Sequence, residues 1–188
     1  MIEVEIKAGV EDVSKIKEKL DKINAKFIKS ENQDDKVFGN PIFLDSENKM
    51  IEGGIVARIR VLNDKKILEF KEILREKGGA EIKSELKNLE IGINFLKKLG
   101  FNEAFSVQKT REEYSYKDFV IALDNVNRLG EFIEIEKVVD SLDEIDNARK
   151  GCIELLNLIS PDSEIENRKY GDLMQEIINK EKQVRKDD

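Results

Sequence analysis

Hydrophobic and polar residues alternate along much of this chain. In Met1–Ala8, Ile2, Val4 and Ile6 fall on one side of an extended segment and Glu3, Glu5 and Lys7 on the other, the period of a half-buried strand. Ile55–Leu62 repeats the pattern, with Val56, Arg58 and Arg60 opposite Ala57, Ile59 and Val61. Lys66–Ile73 sets Glu69 and Lys71 opposite Leu68 and Phe70, and Ile82–Lys87 alternates more weakly. Phe105–Glu113, Tyr116–Asp124 and Glu131–Val138 predict three more strands. Shorter ones are expected at Phe27–Ser30, Lys36–Phe38 and Ile42–Leu44, with a loop through Asn32, Asp34 and Asp35 and a turn at Gly53-Gly54. A helical period takes over in Glu11–Lys26, where Val13, Ile16, Leu20 and Ile23 share a face. Helices are also predicted at Asn88–Leu99, stopped by Gly100, at Leu142–Leu158, followed by Pro161, and at Tyr170–Lys180.

Eight or nine strands and three or four helices result, with no internal repeat. The strands follow one another in hairpin-length steps, which predicts a mostly antiparallel sheet and an α+β class. One domain is expected over residues 1–180, with 181–188 as a charged, fraying tail.

Composition narrows the chemistry. Among 188 residues, 39% are apolar, enough for a core, and the 2 prolines and 11 glycines leave little for low-complexity linkers. The net charge of −7 argues against broad nucleic-acid binding. No apolar run approaches the roughly 20 residues of a membrane helix. The acidic, strand-like start does not read as a secretory signal, and a lone Cys152 forms no internal disulfide, so a cytoplasmic protein is expected. Charged residues make up 39% of the chain, which suits a thermophilic source and a solubility role equally. Histidine is absent, which removes imidazole ligands and bases and leaves carboxylates, Lys, Tyr or metal-bound water for any catalysis.

The charges on the strands sort by sign. Glu3 and Glu5, with Lys7 beside them, and Glu134 and Glu136 are acidic pairs; Arg58 and Arg60, Lys109 and Arg111, and Lys71 are basic. A solvated face of an antiparallel sheet is the economical reading on periodicity alone. Two features weigh against it. A wet face mixes signs across strands, whereas these come as like-signed pairs. Arginine also concentrates at residues 58, 60 and 111 in a lysine-dominated chain, and its planar fork suits phosphate. Lining a closed barrel, these faces would require counter-charges: a hard divalent cation for the carboxylates and a polyanion for the basic strands.

Those residues resemble a known family. Glu3-x-Glu5-x-Lys7 is similar to the ExExK signature of the CYTH superfamily, the triphosphate tunnel metalloenzymes. Arg58-Ile-Arg60, Phe70-Lys71, Lys109-Thr-Arg111 with Tyr114, Leu123-Asp124-Asn-Val126 and Leu129-Gly130-Glu-Phe132-Ile-Glu134-Ile-Glu136 follow in the family's order. Arg168-Lys-Tyr170-Gly-Asp-Leu173 resembles its C-terminal Tyr-bearing motif, so the likeness runs from residue 2 to about residue 174, with wording closest to the class IV, CyaB-type adenylyl cyclases.

The resemblance implies an eight-stranded antiparallel β-barrel, a triphosphate tunnel with flanking helices. It implies Glu3, Glu5, Glu134 and Glu136 as carboxylates for Mg²⁺ or Mn²⁺, and Lys7, Arg58, Arg60, Lys71, Lys109 and Arg111 as phosphate-holding groups. Glu5, Lys7, Lys109 and Arg111 would be closest to the reaction, with Asp124, Glu85 and Tyr170 supporting them. Around Glu85 the chain departs from the family's Arg-x-Glu-x-Glu pattern, since Lys83 and Lys87 replace its first and last residues. The implied ligand is a nucleotide or polyphosphate, with no nucleic acid and no membrane, and the family allows a homodimer. The implied reaction is ATP to cAMP and pyrophosphate. Alternatives are hydrolysis of an inorganic or organic triphosphate, such as thiamine triphosphate, and non-catalytic binding of a nucleotide or polyphosphate. The stretch with Asp34 and Asp35 resembles the family's Gln-x-Asp segment, but a plain solvated loop is the expectation there; Tyr114, Cys152, Phe38, Phe43, Phe70 and Phe132 are expected in the core, while Tyr170 is divided evenly between a tunnel mouth and a helix anchor.

Overall fold

The computed structural model describes residues 2–46, 50–73 and 81–187. Met1, expected to open the first strand, and Asp188, expected to end the tail, lie outside them. Among the described residues there are eight strands: β1 (Ile2–Val10), β2 (Lys26–Gly39), β3 (Gly54–Leu62), β4 (Lys65–Ile73), β5 (Glu81–Glu85), β6 (Asn102–Tyr116), β7 (Phe119–Val126) and β8 (Gly130–Val139). Four α-helices accompany them: α1 (Val13–Lys22), α2 (Leu89–Lys98), α3 (Ile145–Ile159) and α4 (Tyr170–Asp187). The strands form one antiparallel sheet in the order β1-β8-β7-β6-β2-β3-β4-β5, so the α+β class holds. No described helix is long and apolar enough to cross a membrane.

The chain divides into two compact units, residues 1–31 with 109–173 and residues 32–108 with 174–188. In the first, Ile6, Ala8, Ile121, Leu123, Ile133 and Ile135 share one sheet face and pack against Ile16 and Leu20 of α1 and Cys152, Leu155, Leu156 and Ile159 of α3. Strand alternation sends Glu5, Lys7, Asp124, Glu134 and Glu136 to the other face. Asp12 caps α1, its carboxylate accepting from the Ser14 and Lys15 amides at 3.0 and 3.3 Å. Before α3, a Ser141–Glu144 capping box forms the preceding 3₁₀ turn.

The second unit is built around Phe38, Ala57, Ile59, Leu96 and Phe101, with Phe43 and Phe70 packed against them. Asn88 caps α2 through the Ile91 amide at 3.0 Å. A Cβ on Gly92 would meet Leu86 Cδ1 at 2.5 Å, so glycine lets α2 settle close to that side chain. Gly100, at φ 86°, takes the left-handed turn that stops α2.

Four expectations are corrected. The loop through Asn32, Asp34 and Asp35 is strand, because β2 runs unbroken from Lys26 to Gly39. Ile42–Leu44 is not a strand: Pro41–Phe43 forms a 3₁₀ turn, favoured by the fixed φ of Pro41 and capped by the Asn40 side chain on the Ile42 amide at 3.2 Å. The segment from Leu142 opens as a 3₁₀ turn, and α3 begins only at Ile145. The last helix continues through the supposed tail to Asp187; Lys180 and Glu176, one turn apart, pair at 2.7 Å.

Candidate functional site

In the first unit, neighbouring strands carry the charged residues into register. Glu5 lies opposite Glu136 and Lys7 opposite Glu134 across β1 and β8, while Arg111 lies opposite Asp124 across β6 and β7. Asp124 is fully buried and is the hub. Its Oδ1 accepts from Arg111 Nε at 2.7 Å, and its Oδ2 from Arg111 Nη2 at 2.6 Å, a bidentate fork. The same Oδ2 accepts from Lys109 Nζ at 2.7 Å and from the Tyr170 hydroxyl at 2.9 Å. Arg111 also donates to Glu134. Ala122, opposite Glu134 on the intervening strand, keeps that reach open because its side chain is a methyl group.

The electrostatics follow from burial and pairing. Burial works to raise the Asp124 pKa, but the hydrogen bond from Arg111 and the charge of Lys109 outweigh it and hold the carboxyl below its usual range. Burial lowers the Lys109 pKa despite the Asp124 charge beside it, and the positive charge of Arg111 adds to that effect. Lys7 is lowered by burial too, opposed chiefly by Glu134. Its ammonium donates to the Arg168 carbonyl and lies 4.3 Å from the Tyr170 ring centroid.

The four carboxylates expected to hold a metal divide. Glu134 is engaged by Arg111 and faces Lys7. Glu3, Glu5 and Glu136 adjoin: burial raises the Glu136 pKa, and the charges of Glu3 and Glu5 raise it further. Such a crowd of hard oxygen donors suits a divalent cation, which would relieve the repulsion. Among the described residues, however, no three acidic side chains converge on a ready-made metal position.

The second unit holds its own network. Arg60 grips Asp35 in a bidentate fork, Nε at 2.7 Å and Nη2 at 2.6 Å. Arg58 donates Nε to Glu69 at 2.6 Å and Nη1 to Asp35 at 3.3 Å, and its Nη2 lies 3.7 Å from Glu81. Lys83 sits 3.2 Å from Glu81 and 3.9 Å from Glu69. Lys71 is exposed on β4 and Glu85 exposed on β5, opposite Ile67.

Asp35 and Glu69 together therefore hold Arg58 and Arg60, a pairing that sequence reasoning missed. Asp35 lies in a run of polar residues that reads as loop, and Glu69 reads only as part of an alternating strand. The available signal was period: counting back in twos from Val37 places Asp35 on the face opposite Phe38. The basic pairs also do not need an incoming polyanion to be neutralised, since Asp124, Asp35 and Glu69 already meet them. Tyr114 is core as expected, buried with its hydroxyl donating to Glu112 at 2.8 Å. Cys152 is likewise fully buried. Tyr170 opens α4, and its hydroxyl donates to Asp124 at 2.9 Å.

Buried carboxylates thus hold the lysine and arginine side chains of these sheet faces in fixed positions. The chain belongs to the CYTH domain family, whose model matches residues 1–169. A protein of Methanocaldococcus jannaschii named as a putative adenylate cyclase is 32% identical over 165 residues, covering 85% of this chain and 90% of the relative. The solved structure of the PH1819 protein from Pyrococcus horikoshii superposes with a TM-score of 0.74 at 29% identity, covering 93% of this chain and 99% of that one. At 15% identity and a TM-score of 0.61, covering 93% and 96% of the two chains, the same fold occurs in a Hippeastrum protein named as a putative adenylyl cyclase and described as having a dominant triphosphatase activity.

Proposed function

We propose that this protein is a divalent-metal-dependent phosphoryl-transfer enzyme acting on a triphosphate, with ATP as substrate and cAMP and pyrophosphate as products. The observation that carries the reading is the Lys109–Asp124–Arg111–Glu134 cluster, in which two cations on a buried face are aimed and held by carboxylates in advance. The name of the Methanocaldococcus relative supports the cyclase direction. Closure of the sheet into a tunnel and a cytoplasmic setting belong to the same reading.

In the reaction, the ribose 3′-oxygen forms a bond to the α-phosphorus, the bond from that phosphorus to the bridging oxygen of the β-phosphate breaks, and pyrophosphate departs with that oxygen. The hydroxyl proton passes to solvent or to the leaving group. Lys7, Lys109 and Arg111 bind phosphate oxygens and stabilise charge on the departing pyrophosphate. Phosphate-holding roles for Arg58, Arg60 and Lys71 are part of the proposal, as are supporting roles for Asp124, Tyr170 and Glu85. Glu3, Glu5 and Glu136 would hold Mg²⁺ or Mn²⁺, with Glu134 completing the set on release from Arg111. Such an ion supplies Lewis-acid polarisation of phosphoryl oxygens and a lowered pKa for a bound hydroxyl.

Hydrolysis is the second reading, favoured by the activity described for the Hippeastrum protein. There, water would attack the terminal phosphorus of inorganic or thiamine triphosphate. Incubation with ATP, inorganic triphosphate and thiamine triphosphate, each with Mg²⁺ or Mn²⁺, separates the two: cAMP with pyrophosphate supports cyclisation, and orthophosphate supports hydrolysis. Binding without product reduces the proposal to a nucleotide or polyphosphate receptor. Unchanged triphosphate affinity in both Arg111→Ala and Arg58→Ala overturns the phosphate-holding assignment.

A further inference from the structure

Lys7 is on β1 and Lys109 on β6, three strand steps apart in the sheet order. At about 4.8 Å per step, the two strands lie roughly 14 Å apart across the sheet, and Lys109 is also displaced along β6 from Glu113, the residue in line with Lys7. Yet both ammonium groups lie over one aromatic ring, at 4.3 and 4.9 Å from the Tyr170 centroid. Two like charges do not gather without a reason. The negative ring face attracts each of them. The ring is itself held at three places. Its hydroxyl donates to Asp124 at 2.9 Å, Phe132 meets it edge-on at 5.1 Å, and its backbone opens α4. The chain just before it is also tied to β1: the Glu166 amide donates to the Lys7 carbonyl at 2.7 Å, and the Lys7 ammonium donates to the Arg168 carbonyl.

We propose that Tyr170 is a positioning residue whose ring gathers Lys7 and Lys109 while its hydroxyl fixes Asp124, so that cations from distant strands are offered together to one phosphate-bearing ligand. The proposal rests on the phosphate-handling reading above and assigns a division of labour within it. The ring sets where the two ammonium groups stand. The hydroxyl sets how Asp124 divides its oxygens between Lys109 and Arg111. An anchor for α4 alone would require neither lysine to sit over the ring.

The test begins without ligand. A proton held over an aromatic face is shifted upfield, so the ε-methylene signals of Lys7 and Lys109 should stand upfield of the remaining lysines by NMR. Tyr170→Phe keeps the ring and should preserve both shifts; Tyr170→Leu should abolish them. Phe132→Leu, which frees the ring edge, should reduce both and serves if the Tyr170→Leu protein does not fold. Calorimetric titration with inorganic triphosphate and Mg²⁺ should then show weakening by about tenfold in Tyr170→Leu and a smaller loss in Tyr170→Phe, which keeps the ring but releases Asp124. Unshifted lysine signals in the wild type, shifts that survive Tyr170→Leu, or full triphosphate affinity in that variant would each overturn the proposal. If the shifts behave as expected but the wild-type protein binds no triphosphate, the gathering of the lysines is upheld and the phosphate reading fails instead.

Discussion

Replacing Asp124 by Asn removes one buried negative charge and almost no volume. In the native protein that carboxylate accepts four hydrogen bonds, from Lys109, twice from Arg111, and from Tyr170, at 2.6–2.9 Å. An amide can accept with only one of its two terminal atoms, and its NH₂ group would confront donors. Arg111 retains Glu134, so the damage falls mainly on Lys109, whose side chain is 7% exposed. Removing one partner of a buried ion pair costs about 3–5 kcal/mol, and Glu134 places this case near 3 kcal/mol. For a chain of this size that corresponds to a fall in melting temperature of roughly 6–12 °C. Urea denaturation followed by circular dichroism measures it directly. Lys109→Met in the Asp124→Asn background should recover much of the loss, because the stranded charge is then gone.

The pH dependence carries a defined sign. The folded Asp124 pKa lies below its unfolded value, so its contribution is complete above the unfolded value of about 3.9 and is lost as pH falls through the folded one. The gap between wild type and Asp124→Asn should therefore narrow on acidification below about pH 4. A destabilisation under about 1 kcal/mol at neutral pH, or a gap that widens in acid, would refute the hub role.

Two further outcomes are expected. Glu5→Gln should leave the fold as stable or slightly more stable, lower the Glu136 pKa in a carboxyl NMR titration, and abolish metal-dependent turnover; a lost fold with unchanged metal affinity contradicts this. Tyr114, pushed up to about 12 by burial and then by its hydrogen bond to Glu112, binds its proton more tightly when folded, so its stabilising effect is intact below about pH 10 and lost as pH rises to about 12. The stability advantage of wild type over Tyr114→Phe should accordingly shrink across that window, measured by denaturant titration at each pH.

Much of this protein is written in local pattern. Alternation marks β1, β3, β4, β7 and β8, because a strand with one buried face must repeat every two residues whatever it packs against. Asn88 and Gly100 bound α2 for equally local reasons, a side-chain cap and a positive φ. The same period assigns Glu5, Lys7, Arg58, Arg60, Arg111 and Glu136 to charged faces. What period cannot supply is the partner. Asp35 reads as loop because no apolar residue marks its stretch, and only pairing with β3 shows it gripping Arg60. Glu134 has the same sequence spacing as Glu136, yet one is bound to Arg111 and the other is crowded by Glu3 and Glu5. Tyr170 meets Asp124, which is 46 residues away in the chain. Side-chain direction is a property of a few bonds and is legible along the chain. Which charge neutralises which depends on distances of a few ångströms between segments far apart in sequence, and only folding determines those.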